Sequence, residues 1–134
     1  HFRLGDYKHK KQYHPICSIE YYIRALEYFS EEKNVLYFFE EEDRNTIQEN
    51  IKILKEKFPD KNFTSIDTKI VDYEQLFLMS SCKNNIIANS SFSWWGAYFS
   101  IHDNRVVYPD RWFGEVAKLN TKDCPLKEWI MINT

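Results

Sequence analysis

The sequence predicts an α/β fold, a Rossmann-like parallel sheet with helices on both faces. Short continuous apolar runs alternate with segments whose apolar residues recur at helical spacing, as in a parallel sheet with crossover helices. The connecting segments are short, and no internal repeat or low-complexity tract divides the chain. A chain of 134 residues can bury a sizeable core, so residues 1–134 are expected to form a single domain.

The chain is expected to open at the end of a strand. Residues 1–7 should finish this strand and enter a loop, the strand lying mostly before His1. Ser18 is a suitable N-cap for the helix that follows, which should run to about Phe29. Its apolar face consists of Ile19, Tyr22, Ile23 and Leu26. A second amphipathic helix is predicted from Ile47, Ile51, Leu54 and Phe58, with Pro59 ending it.

Four apolar runs of strand length are predicted to form the sheet. They cover residues 35–39, 63–66, 85–88 and 105–108. The first is apolar throughout, as expected for a strand buried on both faces. A helix over 72–79, with Tyr73, Leu76 and Phe77 on one face, separates the second run from the third. Another helix should contain Trp94 and Trp95. The run 105–108 is expected to be the last strand, with the tail packing back across the domain.

Composition excludes several classes of function. The net charge is −2, so a general affinity for nucleic acid or an anionic membrane is not expected. No apolar run approaches the roughly 18 residues of a membrane span. The cysteines, Cys17, Cys82 and Cys124, are far apart and match neither a metal site nor a disulfide framework. Because the chain begins at His1 and without Met, it is expected to be a fragment, so any upstream targeting segment would be lost.

Polar residues follow three of the predicted strands. Ligands of open parallel sheets bind outside the carboxyl ends of the strands, and residues 1–6, 40–43 and 89–93 all fall there. Arg3 offers a planar fork of donors that fits a phosphate, and His1 could donate to the same phosphate. A surface salt bridge for Arg3 and an ordinary loop position for His1 remain alternatives.

The stretch Asn89-Ser90-Ser91-Phe92-Ser93-Trp94-Trp95-Gly96-Ala97 is predicted to form a tight turn and the start of a helix. Hydroxyls and unpaired backbone N–H groups would gather at the turn, and the helix dipole favours an anion there. The alternative is an ordinary helix start, with Ser91 or Ser93 as the N-cap and the two tryptophans in the core.

Two motifs together resemble the alpha-1,2-fucosyltransferase family. The opening His1-Phe2-Arg3-Leu4-Gly5-Asp6-Tyr7 is similar to its H-x-R-x-G-D-Y motif, and residues 89–97 are similar to its N-S-(S/T)-F-S-W-W-G-A motif at about the same separation. Residues 72–85 and 108–113 also look like the family, so the resemblance covers nearly the whole chain. One departure is clear: where the family usually has F-S-D-D, this chain has Phe39-Glu40-Glu41-Glu42-Asp43. Donor contacts of that loop could therefore differ.

The resemblance implies the donor-binding half of an inverting enzyme of the two-Rossmann-domain (GT-B) type. Such an enzyme transfers fucose from GDP-fucose to the 2-hydroxyl of a galactoside, with no cofactor and no metal. The implied partners are a nucleotide-sugar donor, a galactose-containing glycan acceptor and an N-terminal acceptor domain. The implied donor-binding residues are His1, Arg3, Asn89, Ser90, Ser91, Phe92 and Ser93.

The catalytic assignments rest on the negative charge that develops on the leaving diphosphate during sugar transfer. Arg3 would neutralise the leaving diphosphate in the absence of a metal, and no D-x-D motif is present to hold one. Asp6 is the nearest candidate for the base, but it could equally brace its loop, and the base could come from the other half. Two other functions stay open: a transferase using another nucleotide sugar, and a nucleotide-sugar-binding module or remnant without catalysis.

Overall fold

The computed structural model describes residues 1–134, in which helices and parallel strands alternate. The α-helices are α1 (Ile19–Tyr28), α2 (Arg44–Lys57), α3 (Asp72–Ser80) and α4 (Ser91–Tyr98). The strands are β1 (Asn34–Tyr37), β2 (Asn62–Ser65), β3 (Asn84–Ile86), β4 (Arg105–Pro109) and β5 (Ile130–Ile132). Short 3-10 helices lie at Gly5–His9, Glu41–Asp43 and Glu115–Ala117. The predicted α/β, Rossmann-like architecture is confirmed.

The strands form two parallel groups. β1 pairs with β2, from Asn34 opposite Asn62 to Tyr37 opposite Ser65. β4 lies between β3 and β5 in a three-stranded group. Residues 1 and 2 join the groups, because the His1 nitrogen donates to the Ile86 carbonyl (2.9 Å) and the Phe2 N–H donates to the Phe38 carbonyl (2.9 Å). Across the sheet the order is β2, β1, residues 1–2, β3, β4 and β5.

The helices cover both faces of this sheet. Successive residues of a strand point to opposite faces. Val107 belongs to the core that α1 and α2 build, whereas the adjacent Val106 packs with Ala97 of α4 and with Trp129. α1 and α2 therefore cover one face, and α4 the other. The larger core lies under α1 and α2 and contains Tyr21, Tyr22, Leu26, Ile47, Ile51 and Leu54.

Local sequence accounts for the start of α1 and for one close helix contact. The Ser18 hydroxyl accepts a hydrogen bond from the Tyr21 N–H (3.2 Å), as its N-cap role predicts. α3 and α4 pack closely at Gly96, where an added Cβ would lie 2.5 Å from the Met79 sulfur. No helix in the structure is both long enough and apolar enough to cross a membrane.

The prediction that residues 105–108 form the last strand is wrong. Ile130–Ile132 forms β5, parallel to β4, with Met131 opposite Tyr108. A three-residue strand has too little periodicity to be detected locally, and the partner edge of β4 specifies it instead. The expected apolar face of α3 is largely exposed: Tyr73 and Phe77 are 64% and 60% exposed, and Met79 is the buried apolar residue of the helix.

Candidate functional site

A polar pocket of about 410 Å³ opens at the carboxyl ends of the central strands. Four segments that are distant in sequence meet in it: the start of the chain, the loop after β1, the segment from Thr68 to the first turn of α3, and the start of α4. Its lining residues are His1, Arg3, Tyr7, Phe39, Glu40, Glu41, Thr68, Asp72, Gln75, Ser90, Ser91 and Phe92. The structure thus brings His1, Arg3, Ser90, Ser91 and Phe92 of the sequence-predicted site into one cavity.

Arg3 is held at the pocket wall by three neighbours. Its guanidinium pairs with the Asp6 carboxylate (2.7 Å) and with the carboxylate of Glu40. It also lies over the Tyr7 ring, 5.0 Å from the centroid. The side chain is only 24% exposed, so its donor fork is oriented before any ligand arrives.

The turn that follows Arg3 requires Gly5. The Gly5 φ of 38° lies in the left-handed region, and an added Cβ would be 2.6 Å from a Glu40 carboxylate oxygen. The Gly5 N–H donates to buried Asp43 (2.8 Å), whose other oxygen accepts from Lys8 (2.6 Å). The loop after β1 therefore fixes the backbone that carries Arg3.

Asp6 is a brace for Arg3 in this geometry. Desolvation raises its pKa, whereas the Arg3 and Lys10 cations lower it, and the net pKa lies below the ordinary value of 3.8. A carboxylate with a lowered pKa is a weak base. Across the pocket, hydrogen bonds from Arg44 and Thr68 lower the pKa of Glu41 from 4.5 to about 2, so this carboxylate is held ionised.

The start of α4 supplies the second kind of anion-binding group. Ser90 is the N-cap residue, and its side chain makes no capping hydrogen bond. The first amide N–H groups of a helix have no intrahelical partner, and the helix dipole places partial positive charge there. The N-terminal end of α4, at Ser90 to Phe92, borders the pocket that Arg3 lines.

Asn89 and Ser93, also predicted as donor-binding residues, do not line the pocket. The Asn89 amide donates to the carbonyls of Pro15 (2.9 Å) and Trp112 (3.1 Å), and its oxygen accepts from Cys17. The buried Ser93 hydroxyl donates to the carbonyls of Ala88 and Ser90. Both residues stabilise the turn. They affect the pocket only indirectly, by fixing the position of Ser90 to Phe92.

Two tyrosine hydroxyls tie the motifs to each other and to the core. Tyr7 donates to the Asn89 carbonyl (3.1 Å), which connects the first motif to the second. Tyr22 of α1 donates to the His1 carbonyl (2.9 Å). The two motifs, which are far apart in sequence, therefore contact each other directly in the folded chain.

Acidic residues form a cluster beside the pocket. Glu40, Glu42 and Asp43 each place a carboxylate oxygen within 4.8 Å of the others. Arg3 already pairs with Glu40, and Lys8 pairs with Asp43, so side-chain cations neutralise part of this charge.

Sequence reasoning missed several pocket residues. Tyr7 lies in the first motif and Glu40 follows a predicted strand, so both could have been identified as candidate site residues from the sequence. Thr68, Asp72 and Gln75 come from the segment between β2 and α3 and the first turn of α3. Asp72 and Gln75 lie in the family-like segment 72–85, whereas no local pattern marks Thr68. The crossover after β2 brings all three to the pocket.

Together these groups suit a diphosphate beside a polar, hydroxyl-bearing group. Arg3 and the unpaired amides at the α4 N-terminus can donate to phosphate oxygens, and the carboxylates of Glu40, Glu41 and Asp72 can accept hydrogen bonds from ligand hydroxyls. The family model described as Glycosyl transferase family 11 matches residues 1–133. The chain belongs to this family.

Two curated relatives are similar over nearly all of this family member. The O-antigen biosynthesis glycosyltransferase WbnK of Escherichia coli is 31% identical over 97% of the chain and 42% of its own length. An alpha-1,2-colitosyltransferase of Escherichia coli is 37% identical over 98% of the chain and 46% of its own length. The chain thus spans less than half the length of either relative. No solved structure matches it at a significant level.

Proposed function

We propose that this chain is the donor-binding half of a glycosyltransferase and that the polar pocket holds the diphosphate of a nucleotide sugar. One observation carries the proposal: Arg3 and the N-terminus of α4 line the same pocket, although Ser90 lies 87 positions after Arg3 in the sequence. Each belongs to a motif of the family. Such a pair of groups at the carboxyl edge of a Rossmann-like sheet suits a bound pyrophosphate.

The chemistry of transfer explains the choice of groups. When the glycosidic bond of the donor breaks, negative charge develops on the leaving diphosphate. Arg3 can share that charge through two parallel N–H···O bonds, and the α4 amides can share it through the helix dipole. A divalent cation is then unnecessary. To bind the ligand, Arg3 would exchange its contact with Glu40 for the phosphate and keep Asp6 as its brace.

The proton of the acceptor hydroxyl needs a different group. Asp6 pairs with Arg3 and Lys10, which makes it a weak base, so we assign it the positioning role. The base and most of the acceptor contacts would come from the remaining part of a longer protein. This assignment rests on the two-Rossmann-domain architecture that the family resemblance implies. In that architecture the acceptor lies across a cleft from the donor.

The proposed donor is GDP-fucose, and the proposed acceptor is the 2-hydroxyl of a galactoside. The name of one relative, alpha-1,2-colitosyltransferase, favours a second candidate in which colitose replaces fucose. Both candidates make the same linkage type and differ in the sugar that the pocket accepts. A nucleotide-sugar-binding module without catalysis is the remaining alternative.

A calorimetric titration tests the proposal. The chain is titrated with GDP in EDTA, with UDP and ADP as matched controls, and a parallel assay offers GDP-fucose and a simple galactoside. We expect weak GDP binding in EDTA, weaker binding of the other two nucleotides, and no transfer. Without the acceptor half the hydroxyl is not held in line, and such positioning supplies several kcal/mol of the barrier.

Three results would contradict parts of the proposal. Binding that requires added magnesium or manganese would refute the metal-free account of the diphosphate. Equal affinity for the three nucleotides would remove the support for a GDP-linked donor. Measurable turnover by residues 1–134 would show that the acceptor site is within this chain.

A further inference from the structure

A second cavity, of about 520 Å³, lies on the other side of His1, between β1 and β3. Of its 21 lining residues, 14 are hydrophobic. One wall is β1 with Phe38, the opposite wall is β3, and Tyr22, Leu26 and Phe29 of α1 form part of the lining. We call this cavity the strand groove.

The backbones of β1 and β3 present hydrogen-bonding groups to this groove. β1 uses the carbonyls of Lys33 and Tyr37 to accept from Asn62 and Ile66 on the β2 side. Main-chain groups alternate sides along a strand, so those of Asn34, Leu36 and Phe38 face the groove. On β3 the Ile87 N–H is bonded to Val107 of β4, which turns the groups of Asn84 and Ile86 toward the groove.

Residues 1 and 2 already fill one end of the groove as a strand would. The His1 nitrogen bonds to Ile86 on one side, and the next N–H, that of Phe2, bonds to Phe38 on the other. Their side chains point to opposite faces: the Phe2 ring is 4.3 Å from Tyr22, and the His1 ring is 5.6 Å from Phe92. These are the alternations of a central strand in a parallel sheet.

We propose that the strand groove is the seat of a parallel β-strand that is continuous with His1 and bonded to β1 and β3 at once. The register follows from the two existing bonds. The first and third residues before His1 would donate to the carbonyls of Leu36 and Asn34, and the second would donate to that of Asn84. In return, their carbonyls would accept the N–H groups of Phe38, Leu36 and Ile86. The occupant would merge the two strand groups into one sheet.

The groove also specifies the side chains of its occupant. A strand between two helix layers is buried on both faces, so successive residues must be apolar, with β-branched types favoured. The first and third residues before His1 would share the Phe2 face under α1. The second would share the His1 face. Proline at the first or third position would remove a donor and prevent the pairing.

Three further observations agree with this occupant. Burial lowers the pKa of the His1 α-amino group from 8.0 to about 6, so a charged amine is unfavourable where an amide would fit. The buried Asn85 side-chain nitrogen, which lines the groove, has no hydrogen-bond partner. Each curated relative is more than twice as long as the part of it that matches this chain, so both contain further polypeptide outside the matched part.

The test compares two extended forms of the chain. In one, four apolar β-branched residues are added before His1. In the control, the same extension carries proline at the first and third positions before His1. Amide hydrogen exchange is measured at Leu36, Phe38 and Ile86, and thiol labelling is measured at Cys82, which lines the groove. The assay uses no nucleotide and is independent of the proposed glycosyl transfer.

We expect the apolar extension to slow exchange of the three amides at least about tenfold, which corresponds to 1.4 kcal/mol of added protection. It should also slow labelling of Cys82 and raise the melting temperature, and the proline control should do none of these. Equal exchange in the two extended forms would overturn the proposal. Concentration-dependent dimerisation of the unextended chain, with protection of the same amides, would also overturn it by assigning the groove to a second copy.

Discussion

The polar pocket and the strand groove both reach His1, yet they are built from different kinds of residue. Only 3 of the 12 residues lining the pocket are hydrophobic, against 14 of the 21 lining the groove. In the pocket, charges and helix-end amides are oriented before a ligand arrives, as anion binding requires. In the groove, apolar side chains flank strand edges, as polypeptide requires. The two linings therefore fit the two proposed roles, anion binding in the pocket and strand pairing in the groove.

If the comparison is correct, the largest effect should come from a substitution at the groove that leaves the pocket intact. Leu54 lines the groove and is 2% exposed, so Leu54→Ala should lower the free energy of unfolding by about 2–5 kcal/mol through lost burial and a residual cavity. Urea denaturation measures this change, with exposed Leu119→Ala as the control. A groove variant that kept full stability but lost GDP binding would reverse the roles of the two cavities.

The next effect concerns His1, where the cavities meet. The α-amino pKa is lowered from 8.0 to about 6, so between these pH values the unfolded chain binds more protons than the folded chain. Stability of the 134-residue chain should therefore rise as the pH increases from 6 to 8, by about 2–3 kcal/mol for a shift of this size. Urea denaturation across this range measures the rise.

Acetylation of the chain start provides the control for that pH dependence. An acetylated amine cannot titrate but keeps an N–H for Ile86, so the rise between pH 6 and 8 should shrink. If it persists undiminished, other groups, such as the four histidine side chains, must carry it.

Loss of the charge at the pocket should alter binding more than folding. Arg3→Ala should weaken GDP binding by about 1.5–3 kcal/mol, the scale of a hydrogen bond to a charged group. Arg3→Lys should also bind poorly, because an ammonium cannot form the planar fork. Calorimetry measures both, with substitution of the exposed Arg24 of α1, Arg24→Ala, as the control. Wild-type affinity in both Arg3 variants would refute the phosphate role.

The smallest effect should come from Glu40, which competes with a phosphate for Arg3. Glu40→Gln removes this competing charge and should tighten GDP binding by a few-fold, since surface ion pairs contribute roughly 0–1 kcal/mol. Glu27→Gln, which removes an exposed partner of Lys57, is the matched control. Weaker binding in Glu40→Gln would instead indicate that Glu40 contacts the donor directly.

Much of the fold could be predicted because its signals are local. Ser18 caps α1, the apolar spacing of Ile47, Ile51 and Leu54 specifies α2, and the run after Lys33 is a strand. The chemistry of Arg3 and of the residues at the start of α4 also followed from residue type and motif. What failed was β5, whose three residues have no pattern of their own and are specified by the edge of β4.

Residue types, helical spacing and two motifs determined the fold class, four of the five strands, the family resemblance and the residues expected to meet a phosphate. Each of these properties is encoded within a window of a few residues. Only the tertiary structure decided that Glu40 holds Arg3, that Asn89 and Ser93 support the turn from outside the pocket, and that a strand-wide groove separates β1 from β3. Those relations join residues that are tens of positions apart, and their geometry depends on how the crossovers pack rather than on any local preference.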